Sequence, residues 1–159
     1  MKAGLYQFNP VFGKKDDNLK KVSSCIKNAD LELLVLPEFF MTGYQFTSLD
    51  EVAELSEPIP NGYTTEFLLD LSHEKGIYIV AGIPERDRDT FYNSAVFTGP
   101  EGFIGVYRKT HLYFEEKLFF SAGNTGFIVW DTKLCRVGIM ICFDWFFPES
   151  MRTLALRGA

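Results

Sequence analysis

Val137-Gly138-Ile139-Met140-Ile141 is a run of five residues, four of them large and apolar, that leads straight into Cys142-Phe143-Asp144. Behind it come Trp145-Phe146-Phe147 and then Pro148-Glu149-Ser150. An apolar run of this length, followed by a proline suited to the first turn of a helix, predicts a buried strand feeding a helix. Cys142 then lies at the C-terminal end of a strand, where open α/β sheets place their ligands. A cysteine there is either a nucleophile or a small buried hydrophobe, and a lone cysteine does not decide between the two.

The chain has 159 residues, enough for one domain with a substantial core, and 47% of them are hydrophobic, which excludes disorder. The net charge of −5 is mild and spread along the chain, which argues against a nucleic-acid partner. No apolar stretch reaches the length of a membrane span, so no membrane partner is expected. Met1 to Phe8 is too short, and too soon interrupted by Asn9-Pro10, to read as a signal peptide. Cys25, Cys135 and Cys142 form neither a disulfide framework nor a C-x-x-C pair, and His73 and His111 are far apart. No metal is expected, and a reducing cytoplasm is the natural setting.

Taken in order, Lys2–Phe8 predicts a strand closed by Asn9-Pro10. Asp16–Ala29 has a narrow helical stripe of Leu19, Val22 and Ile26, and Leu33–Leu36 is apolar throughout, as suits a strand buried on both faces. These make a parallel βαβ unit. Ser48-Leu49-Asp50-Glu51 matches a capping box opening a helix to about Leu55. Thr64–Lys75 predicts a second helix, with Gly76 as its left-handed cap and His73 on the surface. Ile77–Ile83, Phe91–Thr98 and Phe103–Tyr107 predict an antiparallel meander, with Glu85–Asp89 as an exposed charged turn. Glu115–Thr125 reads as irregular. Phe127–Trp130 and Arg136–Ile141 read as a strand pair, and Pro148–Arg157 as a helix with Phe147, Met151 and Leu154 on one face and Gly158 as its cap.

Three residues with chemistry to offer each follow a strand and sit in aromatic sequence: Glu38, Lys109 and Cys142. Together they supply a base, a cation and a thiol. A lysine beside a thiol is expected to lower its pKa and activate it. His111, two residues beyond Lys109, offers a competing Cys–His arrangement.

Leu36-Pro37-Glu38-Phe39 with Thr42-Gly43-Tyr44, then Tyr107-Arg108-Lys109-Thr110-His111-Leu112, then Gly138-Ile139-Met140-Ile141-Cys142-Phe143-Asp144 leading to Phe147-Pro148-Glu149, occur in that order. With this ordered set the chain, from Met1 to Ala159, resembles the nitrilase or carbon–nitrogen hydrolase superfamily. The resemblance implies an α/β fold, a four-layer αββα sandwich with mixed sheets. It implies that Cys142 is the nucleophile, Glu38 the general base, and Lys109 the cation that holds an oxyanion with the backbone N–H of Phe143. Glu116 matches the second glutamate of many members, with Glu115 next to it as the alternative; Tyr44 and Asp144 would lie at or just behind the substrate. No cofactor is implied, and a homo-oligomer is. Nitrilases proper usually carry Trp-Glu after the cysteine, where this chain has Phe143-Asp144. That favours a small amide or N-carbamoyl substrate, cleaved through a thioester that water opens; an amine in place of water would make an acyltransferase.

The family sandwich continues beyond the point matched by Ala159. The chain is therefore expected to be a single domain, 1–159, incomplete at its C-terminus, poorly active alone, or else a non-catalytic remnant that binds a partner through open sheet edges.

Overall fold

The computed structural model describes all 159 residues. The chain opens with β1 (Ala3–Leu5), α1 (Lys15–Ile26) and β2 (Leu33–Val35), and β1 pairs with β2 in parallel, Ala3 opposite Leu33 and Leu5 opposite Val35. In α1 the buried residues Leu19, Val22 and Ile26 follow helical spacing, and Asn18 joins them because its side chain bonds the backbone of Val11 and Met41. Helix α2 (Leu49–Leu55) starts at Ser48, whose hydroxyl accepts the Glu51 N–H at 3.2 Å. The Glu51 carboxylate reaches back to Thr47 N–H, one residue earlier than a closed capping box would have it. Helix α3 (Tyr63–Lys75) ends on Gly76 at φ +66°, a left-handed position that favours glycine. His73 is exposed near that end.

Strands β3 (Tyr78–Asp87), β4 (Thr90–Gly99) and β5 (Gly102–Arg108) complete a five-stranded sheet in the order β1-β2-β3-β4-β5, parallel from β1 to β3 and antiparallel from β3 to β5. The α1 and α3 helices seal one face. Leu19, Val22, Ile26, Leu68 and Leu71 pack there on Leu34, Ile79, Ala81, Ile83 and Val96. The other face bears Leu33, Val80, Ala95, Phe97 and Tyr107 and is covered by a ribbon of β6 (Val129–Asp131) and β7 (Arg136–Gly138) with Ile139 and Ile141. On the ribbon's far side lies the last helix, α5 (Pro148–Leu156), and no β-carbon could be added at Gly138 without meeting the Leu154 side chain at 2.8 Å. The layers thus run helix, sheet, ribbon, helix, with the second β layer only two strands wide.

Several expectations change on contact with packing. Val35 is 41% exposed and Leu5 76%, because the narrow ribbon does not reach across β1 and β2. The run to Ile141 stays extended at its end but pairs only as far as Gly138, since no strand lies beside Ile139–Ile141. Glu85 is buried and belongs to β3; the hairpin turn is only Arg88-Asp89, and Glu85 pairs with Arg108. Within the segment expected to be irregular sits a short helix, α4 (Glu116–Phe119). In α5, Ser150 and Leu154 are buried whereas Met151 is exposed. No helix is long and apolar enough to cross a membrane.

Candidate active site

Glu38 hangs from a turn sewn onto the sheet. Leu36 N–H donates to Val80 O at 2.8 Å, Gly82 N–H to Pro37 O at 3.3 Å, and Phe40 N–H to Gly82 O at 3.1 Å. The turn comes so close that a β-carbon on Gly82 would meet Glu38 Cα at 2.6 Å, which only glycine avoids. Phe39, next to Glu38, has φ +50° and is fully buried against Tyr44, Phe46 and Phe120. The strained backbone is held by that aromatic packing.

Lys109 follows β5 directly. Its N–H donates to Asn93 O at 2.8 Å, so it continues the ladder beside β4. The side chain is completely buried, and Nζ donates to Glu38 Oε1 at 2.7 Å and Glu116 Oε1 at 2.8 Å. Burial alone would push a lysine pKa down; here the two carboxylates outweigh it and the pKa is raised, so Lys109 is held as a cation. Of the two adjacent glutamates, Glu116 is the buried one that reaches Lys109; Glu115 is exposed. Glu116 Oε1 also accepts from Tyr44 OH at 2.6 Å, and its Oε2 accepts the Tyr113 N–H at 2.9 Å. Burial first, and then the neighbouring negative charge, raise the Tyr44 phenol well above its ordinary pKa, so it stays a donor.

Cys142 opens a 3-10 helix, Cys142–Phe146, at φ +42°. Left-handed backbone costs a non-glycine residue about 1–2 kcal/mol. Asp144, wholly buried, fixes the turn. It accepts Ile141 N–H at 3.0 Å, His111 N–H at 3.0 Å and the Tyr107 hydroxyl at 2.7 Å, and lies 2.8 Å from His111 Nδ1. His111 also stacks on Phe147, with ring centroids 3.8 Å apart. Its Nδ1 is thus directed to Asp144, and this favours Lys109 over His111 as the thiol's companion. Phe143 packs edge-on to Tyr113 at 5.0 Å, and the first backbone bond of the turn is made by Asp144 N–H, one residue later. The Phe143 N–H, ahead of that bond, is one of the helix-start donors that need a partner from elsewhere.

Cys142 as a residue is exposed, yet enough protein crowds its thiol for burial to lead an upward pKa shift. The nearby charge of Glu38 pushes the same way, and Lys109 opposes. The lysine lowers the thiol pKa as expected but is outweighed: burial and two carboxylates stand against one cation, and the thiol rests protonated. Asn93 and Lys109 both donate to Glu38 Oε1, and neither engages Oε2.

Asn93, in the middle of β4, is the member of the cluster that the sequence reading passed over. It is fully buried, and Nδ2 donates to Glu38 Oε1 at 2.6 Å and lies 3.5 Å from Glu116 Oε1. The signal was available: Asn93-Ser94 is a polar pair between the aromatic Phe91-Tyr92 and the apolar Ala95-Val96-Phe97, and both residues are buried, Ser94 bonding Glu85. Beside the cluster lies a cavity of about 360 Å³, walled by Phe39, Phe46, Tyr113 and Phe120 and sharing Tyr44 and Glu116 with it. No group of three or more His, Cys, Asp or Glu side chains could hold a metal ion.

Residues 2–159 match the carbon–nitrogen hydrolase family. The chain belongs to that family. A protein named nitrilase from Pyrococcus abyssi is 52% identical over 162 residues, covering 100% of this chain and 62% of that protein. An (R)-stereoselective amidase of a Pseudomonas species is 36% identical and an omega-amidase of Xenopus laevis 38% identical, matched over 57% and 60% of their lengths. Among solved structures, Saccharomyces cerevisiae Nit3, a member of branch 10 of the nitrilase superfamily, superposes with a TM-score of 0.88 at 32% identity, covering 100% of this chain and 61% of that one. The fold is the nitrilase fold, and this carbon–nitrogen hydrolase chain spans about three fifths of the length of these relatives.

Proposed function

We propose that residues 1–159 carry the catalytic centre of a hydrolase that cleaves the C–N bond of a small amide or N-carbamoyl compound through a thioester on Cys142. The observation that carries the reading is the convergence of Glu38, Glu116 and a fully buried Lys109 within hydrogen-bond distance, with Glu38 coupled to the Cys142 thiol. In the proposed first step the Cys142 sulfur bonds to the carbonyl carbon while its proton passes to Glu38 Oε2 and the carbonyl π pair moves onto oxygen. Lys109 and the Phe143 N–H face that charge, each such donor contributing about 2.7–4 kcal/mol in comparable sites. Collapse breaks the C–N bond, and the amine leaves with the proton that Glu38 held. Water then attacks the thioester, Glu38 takes its proton, and Cys142 departs as the thiol. A base already in place suits a thiol whose pKa is raised, because proton transfer and attack then occur together.

Amide over nitrile rests on Phe143-Asp144, with Asp144 committed to the cysteine turn by its hydrogen bonds. The open side of Cys142 and the uncovered Leu5 and Val35 support weak turnover by the 159 residues alone. The exposed Trp145, Phe146 and Met151 are consistent with a homo-oligomer, and a free thiol nucleophile with a reducing, cytoplasmic setting. The test is a protein extended to the length of its relatives, offered small amides, N-carbamoyl amino acids and nitriles. Ammonia release from an amide or carbamoyl compound, an acyl adduct on the Cys142 peptide, and loss of both in Cys142→Ala are expected. Hydrolysis that survives Cys142→Ala overturns the mechanism, and a preference for nitriles overturns the substrate class.

A further inference from the structure

We infer that Asn93 is a positioning residue, which holds Glu38 by one oxygen so that the other is presented to Cys142. This deepens the reading above and rests on it. Asn93 Nδ2, on β4, and Lys109 Nζ, just after β5, reach the same Glu38 Oε1 at 2.6 and 2.7 Å. Two donors on one carboxylate oxygen fix both the position and the rotation of the group, which a single lysine on a flexible stem does not. The amide must point this way, since the reversed orientation would set Oδ1 against a carboxylate oxygen. Its own Oδ1 is buried with no hydrogen-bond partner. A side chain kept only for its packing would not bury an unmet acceptor, whereas one kept for its donor accepts that penalty. Asn93 is neutral, so it orients Glu38 without cancelling the charge that makes it a base.

The charged and titratable groups around this bond are Lys109 after β5, Glu116 on α4, Tyr44 on the loop after Glu38, and Cys142 on its turn. Glu38 pushes the thiol up through its charge, so the pH at which Cys142 becomes alkylated reports where Glu38 is held. The experiment is iodoacetamide labelling against pH on the 159-residue chain, with mass spectrometry of peptides to separate Cys142 from Cys25 and Cys135. Glu38→Gln is expected to lower the Cys142 midpoint. Asn93→Ala is expected to move it the same way by at least half as much, because the carboxylate is no longer pinned beside the thiol. In the Glu38→Gln background, Asn93→Ala is expected to add nothing. A purely structural Asn93 would shift the midpoint equally in both backgrounds, and that result, or no shift in the wild-type background, overturns the inference. Should Asn93→Ala not fold, Asn93→Ser gives the same cycle with less lost volume. If Glu38→Gln itself leaves the midpoint unmoved, the base assignment fails and the inference with it. A shift in Glu38→Gln with none in Asn93→Ala removes the inference alone.

Discussion

The two sides of the site are built on different terms. The Glu38 turn and Lys109 are fastened to the central strands by backbone bonds, Lys109 joins Glu38 and Glu116 through ion pairs, and Lys109 and Glu116 are buried. Cys142 stands on a short turn with left-handed backbone, open to solvent, over a layer only two strands wide. What steadies that turn is chiefly one buried carboxylate, Asp144. The charge centre is therefore a property of the sheet, whereas the nucleophile's place is a property of a loop and of whatever covers it.

Substitutions on each side can break this contrast, and the largest effect belongs to the sheet side. Lys109→Met leaves the buried Glu116 and the half-buried Glu38 facing each other without a cation. Loss of about 3–5 kcal/mol is expected in urea unfolding, a large part of a domain's whole stability. Where enough folded protein remains, the Cys142 alkylation midpoint is expected to rise, because Lys109 is the group that favours the thiolate. Asp144→Ala strands the donors of Ile141, His111 and Tyr107 and is expected to cost about 1–3 kcal/mol. Its sharper signature is local: proteolysis at the Cys142–Phe146 turn should accelerate while amide exchange in β3 and β4 stays slow. Equal acceleration in the sheet would show that the two sides are not separable.

Gly82→Ala tests the sheet side by steric contact. The new methyl meets Glu38 Cα and the loop must move, for an expected loss of about 1–3 kcal/mol and a lower Cys142 alkylation midpoint, read by thermal unfolding and by labelling against pH. The smallest effect has the opposite sign. Cys142→Gly relieves the left-handed backbone and should be more stable than Cys142→Ala by about 1 kcal/mol. Greater stability of the alanine variant would mean that the turn carries no strain.

Much of this was legible from residues alone because it depends on local rules. Ser48 and Gly76 are caps whose chemistry is the same in any fold. Glu38, Lys109 and Cys142 could be found because each stands where an apolar run ends, and a polar group at such a point must face a loop or a cleft. What escaped depends on partners far along the chain. Glu85 reads as an exposed charge until Arg108, 23 residues later, is seen to bury it. Val35 reads as core until its covering layer turns out too narrow. The direction of the Cys142 shift needed the count of charges around it, with Glu38 and Glu116 against Lys109, which spacing does not supply. Asn93 was missed because a polar residue in a strand is usually a surface residue, and only its burial between two carboxylates makes it otherwise.

The kink at Cys142 belongs to the main chain and owes nothing to sulfur. Asp144, Tyr107 and His111 would hold the same bend around a serine. Cys142→Ser should thus keep the shape of the site while greatly weakening its attack. Soaked with candidate compounds, such a protein becomes a trap in which the true substrate can be caught whole and read directly from electron density.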